Sequence, residues 1–397
     1  MDSSLSKYRW YILALAALTH SVVVAIPMMS MPVLFDEISR ELGLDLVQIG
    51  WIWGIGFLTG IFTSLIGGAL GDRFGTKRTL IVGCFLAGIT GALRGISGNF
   101  ITLAATAFIF GLVPPAIPMS VHKTCGIWFS GRRLGLANGV VSMGMALGFM
   151  LGSLLSATVL SPMLGGWRQV LFLYGALSII MGVFWSFTRS APQDEGTSRD
   201  QETVTLSRGI SCVVRLRNMW LLGLAMFGVG GCIQGALGYL PLYLRRIGWP
   251  ETSADGALAA FHAVSMIATI PIALLSDRLK SRKGILMAAT ILIFSGVALL
   301  SIPGGALVWG AVIIAGFARD GFMAILMTLI IELKEVGTLY AGTAIGLVLV
   351  FSRFGSLISP PLGNSLAGIH LALPFVFWAS LALVGLVGFY FVKEKHS

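Results

Sequence analysis

Charged residues are scarce in this chain. Of its 397 residues, 11% are charged and 56% are hydrophobic, whereas an ordinary soluble domain carries about 25% charged residues. A soluble core could not bury so much apolar surface, because single cores stop growing at about 250–300 residues. The composition excludes a soluble globular protein and favours one that is embedded in a lipid bilayer.

Cysteine and catalytic motifs are scarce as well. The four cysteines, at positions 84, 125, 212 and 232, lie in or beside apolar stretches without CxxC spacing, which excludes a disulfide framework and predicts reduced packing residues. The sequence contains no HExxH, no GxSxG and no P-loop. We therefore expect no metal, no cofactor and no enzymatic activity.

The net charge of +10 could indicate a nucleic-acid partner, but its distribution argues against one. Lysine and arginine occupy short breaks between long apolar runs, and no basic stripe is interleaved with aromatic residues. The partner that this pattern predicts is the lipid bilayer.

Apolar stretches of about 20 residues, the length that spans a bilayer, recur along the whole chain. The first follows Lys7 and Arg9 and imitates a signal peptide, but it is long enough to be a retained helix. The predicted helices are 10–32, 47–70, 79–98, 101–123, 135–160, 169–188, 218–243, 255–276, 284–302, 305–331, 338–360 and 370–392. This is an all-α polytopic membrane protein with twelve transmembrane helices.

The positions of the basic residues predict the orientation. If both termini are cytoplasmic, the cytoplasmic segments hold 20 lysines and arginines and the outer loops hold 4. The positive-inside rule favours this arrangement and, with it, a multi-pass protein of the inner (plasma) membrane. Arg94, Arg319 and Arg353 remain within helices, and we expect Arg94 to reach toward the outer surface.

The chain also contains an internal repeat. GGALGDRFGTKR at 67–78 is matched by IALLSDRLKSRK at 272–283, and the only long polar stretch lies between them. This pattern predicts two pseudo-symmetric six-helix bundles, 1–188 and 218–397, joined by a cytoplasmic linker at 189–217.

The first copy of this repeat resembles the loop signature of the major facilitator superfamily (MFS). The resemblance implies the MFS fold, alternating access, a central site between the halves and a chain that works as a monomer. It also implies gating by the loop residues, because a tight turn needs glycine and the charges can bond to neighbouring helix ends. The gating candidates are Gly71, Asp72, Arg73, Gly75, Lys77, Arg78, Asp277 and Arg278.

A second segment bears on the substrate. IWFSGRRLGLANGVVSMGMALG at 127–148 resembles a segment of MFS carriers of monocarboxylate, oxalate, cyanate and nitrate. Proton-coupled drug antiporters of the superfamily carry an arginine where this chain has Ala107, and a proline where it has Phe149. These departures favour a small-anion carrier over drug efflux, without excluding efflux.

Ionisable residues at membrane depth are functional candidates because they are costly to place there. Arg353 and Arg319 suit an anionic solute, since arginine binds carboxylates in a bidentate fork. Asp320 could instead neutralise one of them, or bind a proton when the conformation moves an arginine away. Arg319 and Asp320 are sequence neighbours, so we expect them to face different surroundings.

The other polar candidates for a substrate site lie in apolar helices. They are His20, Gln234, Tyr239, Tyr243 and Asn138. His20 could titrate near neutral pH, or it could be a packing residue.

The sequence thus predicts a secondary transporter of a small solute. The first hypothesis is a carrier of small organic anions, with or without protons as the coupled ion. The alternative is an MFS drug or neutral-solute transporter, such as a proton-coupled efflux protein.

Overall fold

The computed structural model describes residues 3–129, 132–189, 211–279, 281–302, 304–333 and 335–392. Within these ranges the chain forms twelve long helical segments and no strand, which confirms the all-α prediction. Segments 1 to 6 are Ser3–Leu42, Leu46–Phe74, Thr76–Ile96, Phe100–Trp128, Arg132–Leu164 and Trp167–Ser186, and segments 7 to 12 are Arg217–Arg246, Glu251–Leu279, Arg282–Leu299, Gly305–Glu332, Gly337–Leu366 and Leu373–Phe391.

Most of the segments are suited to a membrane. Within their described residues, eleven of the twelve, all except segment 8, are long and apolar enough to cross a bilayer. Each matches a predicted helix, but segment 1 continues to Leu42 rather than ending near residue 32, and segments 4 and 11 continue to Trp128 and Leu366, past the predicted ends at 123 and 360. The chain is therefore a multi-pass membrane protein.

Local sequence signals set several segment ends. Asp45 caps segment 2 by accepting a hydrogen bond from the backbone N–H of Gln48, whose side chain bonds back to Asp45. Asn99 and Thr102 form the same reciprocal box before segment 4. Each box satisfies two backbone donors that have no partner inside the helix.

Four of the described segments depart from regular α-helix, and segment 3 does so only in its last turn, the 3₁₀ helix Arg94–Ile96. Segment 4 is interrupted between Gly111 and Ala116, where Pro114 and Pro115 supply no backbone N–H. Segment 1 contains a π-helical turn at His20–Ala25, and segment 5 contains one at Ser156–Leu160. Single π-turns within α-helices occur frequently at functional sites.

The chain packs into two compact units. The first comprises 1–192 with 238–263, and the second comprises 193–237 with 264–397. The division of the sequence into bundles at 1–188 and 218–397, with a linker at 189–217, stays a prediction.

Within the first unit, small residues allow segments 1 and 5 to approach closely. A Cβ atom at Gly144 would lie 2.7 Å from the Ala17 carbonyl oxygen, and one at Gly148 would lie 2.7 Å from the Ala25 Cβ. Gly152 meets segment 1 in the same way, further along the helix. Such contacts let membrane helices pack through their backbones. They hold the π-turn of segment 1 against segment 5.

Glycines also allow close helix packing in the second unit. A Cβ atom at Gly296 of segment 9 would lie 2.7 Å from the Ala311 carbonyl oxygen of segment 10. Gly388 of segment 12 lies as close to the Leu221 carbonyl oxygen of segment 7. Both units therefore have tightly packed helix pairs on which polar side chains can be held in fixed positions.

Candidate functional site

His20 and Asn138, two of the predicted site residues, both contact His122 in the first unit. His122 is not among the residues predicted from the sequence. His20 of segment 1 and His122 of segment 4 lie edge to face, with ring centroids 5.9 Å apart and an interplanar angle of 90°. His122 Nδ1 lies 3.0 Å from Asn138 Oδ1 on segment 5. We refer to His20, His122 and Asn138 as the histidine cluster.

His20 occupies an unusual position for a polar side chain. It opens the π-turn of segment 1 and is 3% exposed. The Val141 backbone lies near its ring, but neither ring nitrogen makes a hydrogen bond of acceptable geometry to any described residue. An unsatisfied buried polar group costs about 1–3 kcal/mol. A packing role alone does not explain such a side chain.

One edge of the histidine cluster is open. His122 and Asn138 are half-buried, and the nearby Gly135 and Gly139 are exposed. A Cβ atom built on either glycine would meet nothing within 4 Å. The cluster is therefore sealed at His20 and accessible at His122 and Asn138.

The neighbouring side chains fix the inner face of segment 1. Thr19 is fully buried, donates a hydrogen bond to the Leu15 carbonyl and accepts one from Trp185 Nε1 at 2.8 Å. Because this bond joins segment 1 to segment 6, it holds the residue before His20 in place.

In the second unit, Arg319 and Asp320 form an ion pair, with Arg319 Nη1 3.0 Å from Asp320 Oδ1. The expectation that they face different surroundings is wrong, because the flexible arginine side chain bends back to its neighbour. The Asp320 backbone N–H donates to Ser265 Oγ of segment 8 at 3.1 Å. Asp320 therefore sits where a local counter-charge and a neighbouring segment both hold it.

The remaining candidates are distributed over both units. Arg353 and Gln234 are half-buried residues of the second unit. Tyr239 is buried in the first unit, where its ring centroid lies 5.9 Å from that of Tyr243. Their roles as substrate-binding residues stay predictions.

The loop residues are described only in part. The structure describes the backbone at Gly71, Asp72, Arg73 and Asp277 as helical, but it does not describe the side chains or surroundings of these residues. Gly75 has a φ of +80° between segments 2 and 3, which is the positive value that favours glycine in a tight turn.

The described cationic loop residues lie at the surface or tie segments together. Lys77 Nζ donates a hydrogen bond to the Thr188 carbonyl just beyond segment 6. Arg78 and Arg278 are exposed. The gating role of these residues stays a prediction.

Arg94 does not reach toward the outer surface, so that prediction is wrong. Its side chain is 3% exposed and lies over the Phe110 ring, 3.9 Å from the centroid. Its Nε donates to the Gly91 carbonyl at 3.3 Å. The cation–π contact retains the guanidinium inside the first unit.

A buried ion-pair cluster was also missed. Both carboxylate oxygens of Asp255 lie 2.8 Å from Arg245 Nη2, and Asp36 Oδ2 lies 4.0 Å from Arg245 Nη1. Asp255 is fully buried, and the Arg245 side chain is 7% exposed. The predicted helix 218–243 ends before Arg245, whereas segment 7 continues through it to Arg246.

This ion-pair cluster lies beside a cavity of about 610 Å³ in the first unit. Four acids and two arginines line it, together with small residues of segment 5 and the turn that follows it; the charged lining is Asp36, Glu37, Arg40, Glu41, Arg245 and Glu251. Glu37 accepts hydrogen bonds from Ser161 Oγ and the Trp167 backbone N–H, so neutral donors compensate part of this acidic lining.

The chain is similar to known membrane transporters. The family model described as Major Facilitator Superfamily matches residues 13–341. The chain is 24% identical over 368 residues to a 3-(3-hydroxy-phenyl)propionate transporter of Escherichia coli (strain K12), covering 90% of this chain and 88% of that protein. It is 27% identical over 371 residues to a probable nitrate/nitrite antiporter, NarK1, of Thermus thermophilus, covering 90% and 76%.

Solved structures are similar over almost the whole chain. A bacterial homologue of the human lysosomal transporter Spinster, in an inward-facing and occupied conformation, has a TM-score of 0.79 at 15% identity and covers 97% of both chains. A point mutant of the nucleoside transporter NupG has a TM-score of 0.80 at 14% identity, covering 97% of this chain and 99% of that one. At these identities the likeness concerns the fold.

Proposed function

Because this chain belongs to the Major Facilitator Superfamily, we propose that it is a secondary transporter that moves a small organic anion across the membrane by alternating access. Family membership supports transport of a small solute, and the related proteins are transporters rather than enzymes. The anionic nature of the substrate is our own proposal.

The charge of segments 10 and 11 supports an anionic substrate. Arg319 and Arg353 are two guanidiniums within these apolar segments, and Asp320 is the carboxylate next to Arg319 in the sequence. The formal charges of these three residues sum to +1. This charge favours an anionic ligand over a cationic one, because ions interact strongly where water is scarce and arginine binds carboxylates in a bidentate fork.

The names of the relatives support the same substrate class. Hydroxyphenylpropionate and nitrate are both anions, and a probable sulfoacetate transporter of Cupriavidus necator is 24% identical to this chain over 390 residues. We propose Arg353 as the principal anion contact and Arg319 as the second.

Asp320 gives a route to proton coupling. While it is ionised, it pairs with Arg319 at 3.0 Å. If it takes up a proton, the charge attraction within this pair is lost, which would favour an anion at Arg319. A pH gradient should then drive uptake by the wild type and not by Asp320→Asn. Full pH-driven uptake by that variant would remove Asp320 from the coupling mechanism.

Thermal stability in detergent tests the substrate class. Purified protein is heated with small carboxylates, inorganic anions or lipophilic cations, for the wild type, Arg353→Gln and Arg246→Gln. Arg246→Gln removes the same charge from an exposed position and serves as the matched control. A ligand at about 100 times its Kd adds roughly 2.7 kcal/mol of stability.

We expect an anion to stabilise the wild type and Arg246→Gln but not Arg353→Gln. Stabilisation of all three proteins by cations or neutral compounds alone would contradict the anion proposal and favour a drug or neutral-solute carrier.

A further inference from the structure

We propose that the histidine cluster is a proton-binding site in the first unit, in which His20 and His122 together bind one proton and not two. The inference goes beyond the anion site of the second unit, because it concerns different residues and a different ligand. It rests on the geometry of His20, His122 and Asn138.

The hydrogen bond between His122 and Asn138 fixes one tautomer. The amide oxygen of Asn138 can only accept, so His122 Nδ1 carries the hydrogen when the ring is neutral. The lone pair of His122 then lies on Nε2. Neutral His122 therefore offers a proton acceptor on the half-buried, accessible part of the cluster.

The position of His20 limits the pair to one proton. Its ring centroid lies 5.9 Å from that of His122, and the ring is almost fully removed from solvent. Two imidazolium charges this close, in surroundings of low dielectric constant, repel each other strongly. Proton binding at either ring therefore depends on the other, so the pair titrates as a unit.

Among the residues that the structure describes, His122 is the one titratable group with an interaction at the His20 ring. The π-turn packs against segments 3, 4, 5 and 6 and the rest of segment 1. None of the described titratable or charged side chains on these elements other than His122 has an interaction with the His20 ring. These other side chains are Tyr8, Arg9, Tyr11, Asp36, Glu37, Arg40 and Glu41 on segment 1, Lys77, Arg78, Cys84 and Arg94 on segment 3, Lys123 and Cys125 on segment 4, Arg133 on segment 5, and Arg168 and Tyr174 on segment 6.

The π-turn supplies an independent sign of function. In a regular α-helix each backbone N–H bonds to the carbonyl oxygen four residues earlier, whereas in a π-turn it bonds to the carbonyl five residues earlier. The π-turn of segment 1 begins at His20 itself. Single π-turns of this kind occur frequently at functional sites. Here the side chain in question has both ring nitrogens without a hydrogen-bond partner among the described residues.

Nuclear magnetic resonance of protein labelled with ¹⁵N-histidine tests the proposal without any substrate. The chain has five histidines, and His20→Gln and His122→Gln assign the two signals. His370→Gln is the matched control, because His370 lies beyond segment 11 in the second unit. Spectra are recorded between pH 5 and pH 8 in detergent, with a chelator present to remove metal ions.

We expect the signals of His20 and His122 to change together and to account for one proton. Removing either ring should move the titration midpoint of the other by about one unit, a tenfold change in proton affinity, whereas His370→Gln should move neither. Asn138→Ala keeps both rings and should change the tautomer signature of His122. If a glutamine variant fails to fold, Asn138→Ala still tests the proposal through this signature.

Two results would overturn the proposal. One is that both rings remain neutral down to pH 5, and the other is that they titrate with midpoints unaffected by each other's removal. Because no anion is used, either result leaves the anion proposal standing. Conversely, failure of the anion panel leaves the proton site intact.

Discussion

Replacing Asp255 by asparagine should destabilise the first unit strongly. The variant keeps the size of the side chain but removes the charge that faces Arg245, whose Nη2 lies 2.8 Å from both carboxylate oxygens. Removing one partner of a buried ion pair costs about 3–5 kcal/mol, because the remaining charge stays buried without compensation. Asp36 lies 4.0 Å from Arg245 and supplies part of that compensation, so we expect a loss of about 3 kcal/mol.

A partly exposed ion pair in the same chain provides the control. Arg282 and Glu332 approach to 3.4 Å, and the Glu332 side chain is 52% exposed. Solvent screens such pairs, and their contribution is about 0–1 kcal/mol. Glu332→Gln should therefore cost less than about 1 kcal/mol.

Titration with sodium dodecyl sulfate in mixed micelles, followed by tryptophan fluorescence, gives the free energy of unfolding for each variant. The double variant Arg245→Met/Asp255→Asn removes the uncompensated charge, so it should be more stable than Asp255→Asn alone. The reasoning would be refuted if Asp255→Asn and Glu332→Gln cost the same, or if the double variant were the less stable one.

Two further predictions concern packing in the first unit. Gly148→Val should lower the melting temperature and the monodisperse yield on size-exclusion chromatography, because its Cβ would lie 2.7 Å from the Ala25 Cβ; Gly139→Val, with nothing within 4 Å of its Cβ, should leave both nearly unchanged. Thr19→Val should cost about 1–3 kcal/mol in the same detergent titration, because it leaves the buried Trp185 indole N–H without its acceptor. Thr19→Ser keeps that acceptor and should be close to the wild type, and equal losses for both would contradict this explanation.

The sequence was sufficient to predict the helical segments, since an apolar run of spanning length has few alternatives in a bilayer. Gly144 and Gly148 allow the close approach to segment 1, because small residues at four-residue spacing lie on one helix face. The break in segment 4 follows from Pro114 and Pro115. These features depend on local order along the chain.

The missed features depend on contacts between distant parts of the chain. His122 lies in an apolar run, and nothing in that run indicates that His20 and Asn138 approach it. The predicted helix 218–243 ends before Arg245 because charged residues end an apolar window, yet segments 1 and 7 continue as helices beyond their apolar parts. Only folding brings Asp36, Arg245 and Asp255 together, where their opposite charges compensate burial.

The π-turn at His20–Ala25 also determines how the chain tolerates a change of length. A π-turn acts as one extra residue in an α-helix. Deleting Val22 would remove that extra residue, so segment 1 could run as a regular helix while the parts before and after the turn kept their relative rotation. In the regular part of the segment, by contrast, each residue accounts for about 100° of rotation, and deleting one there would carry Asp36 away from Arg245. The π-turn is therefore the place in segment 1 where loss of one residue changes least the register between the histidine cluster and the ion-pair cluster, which this segment connects.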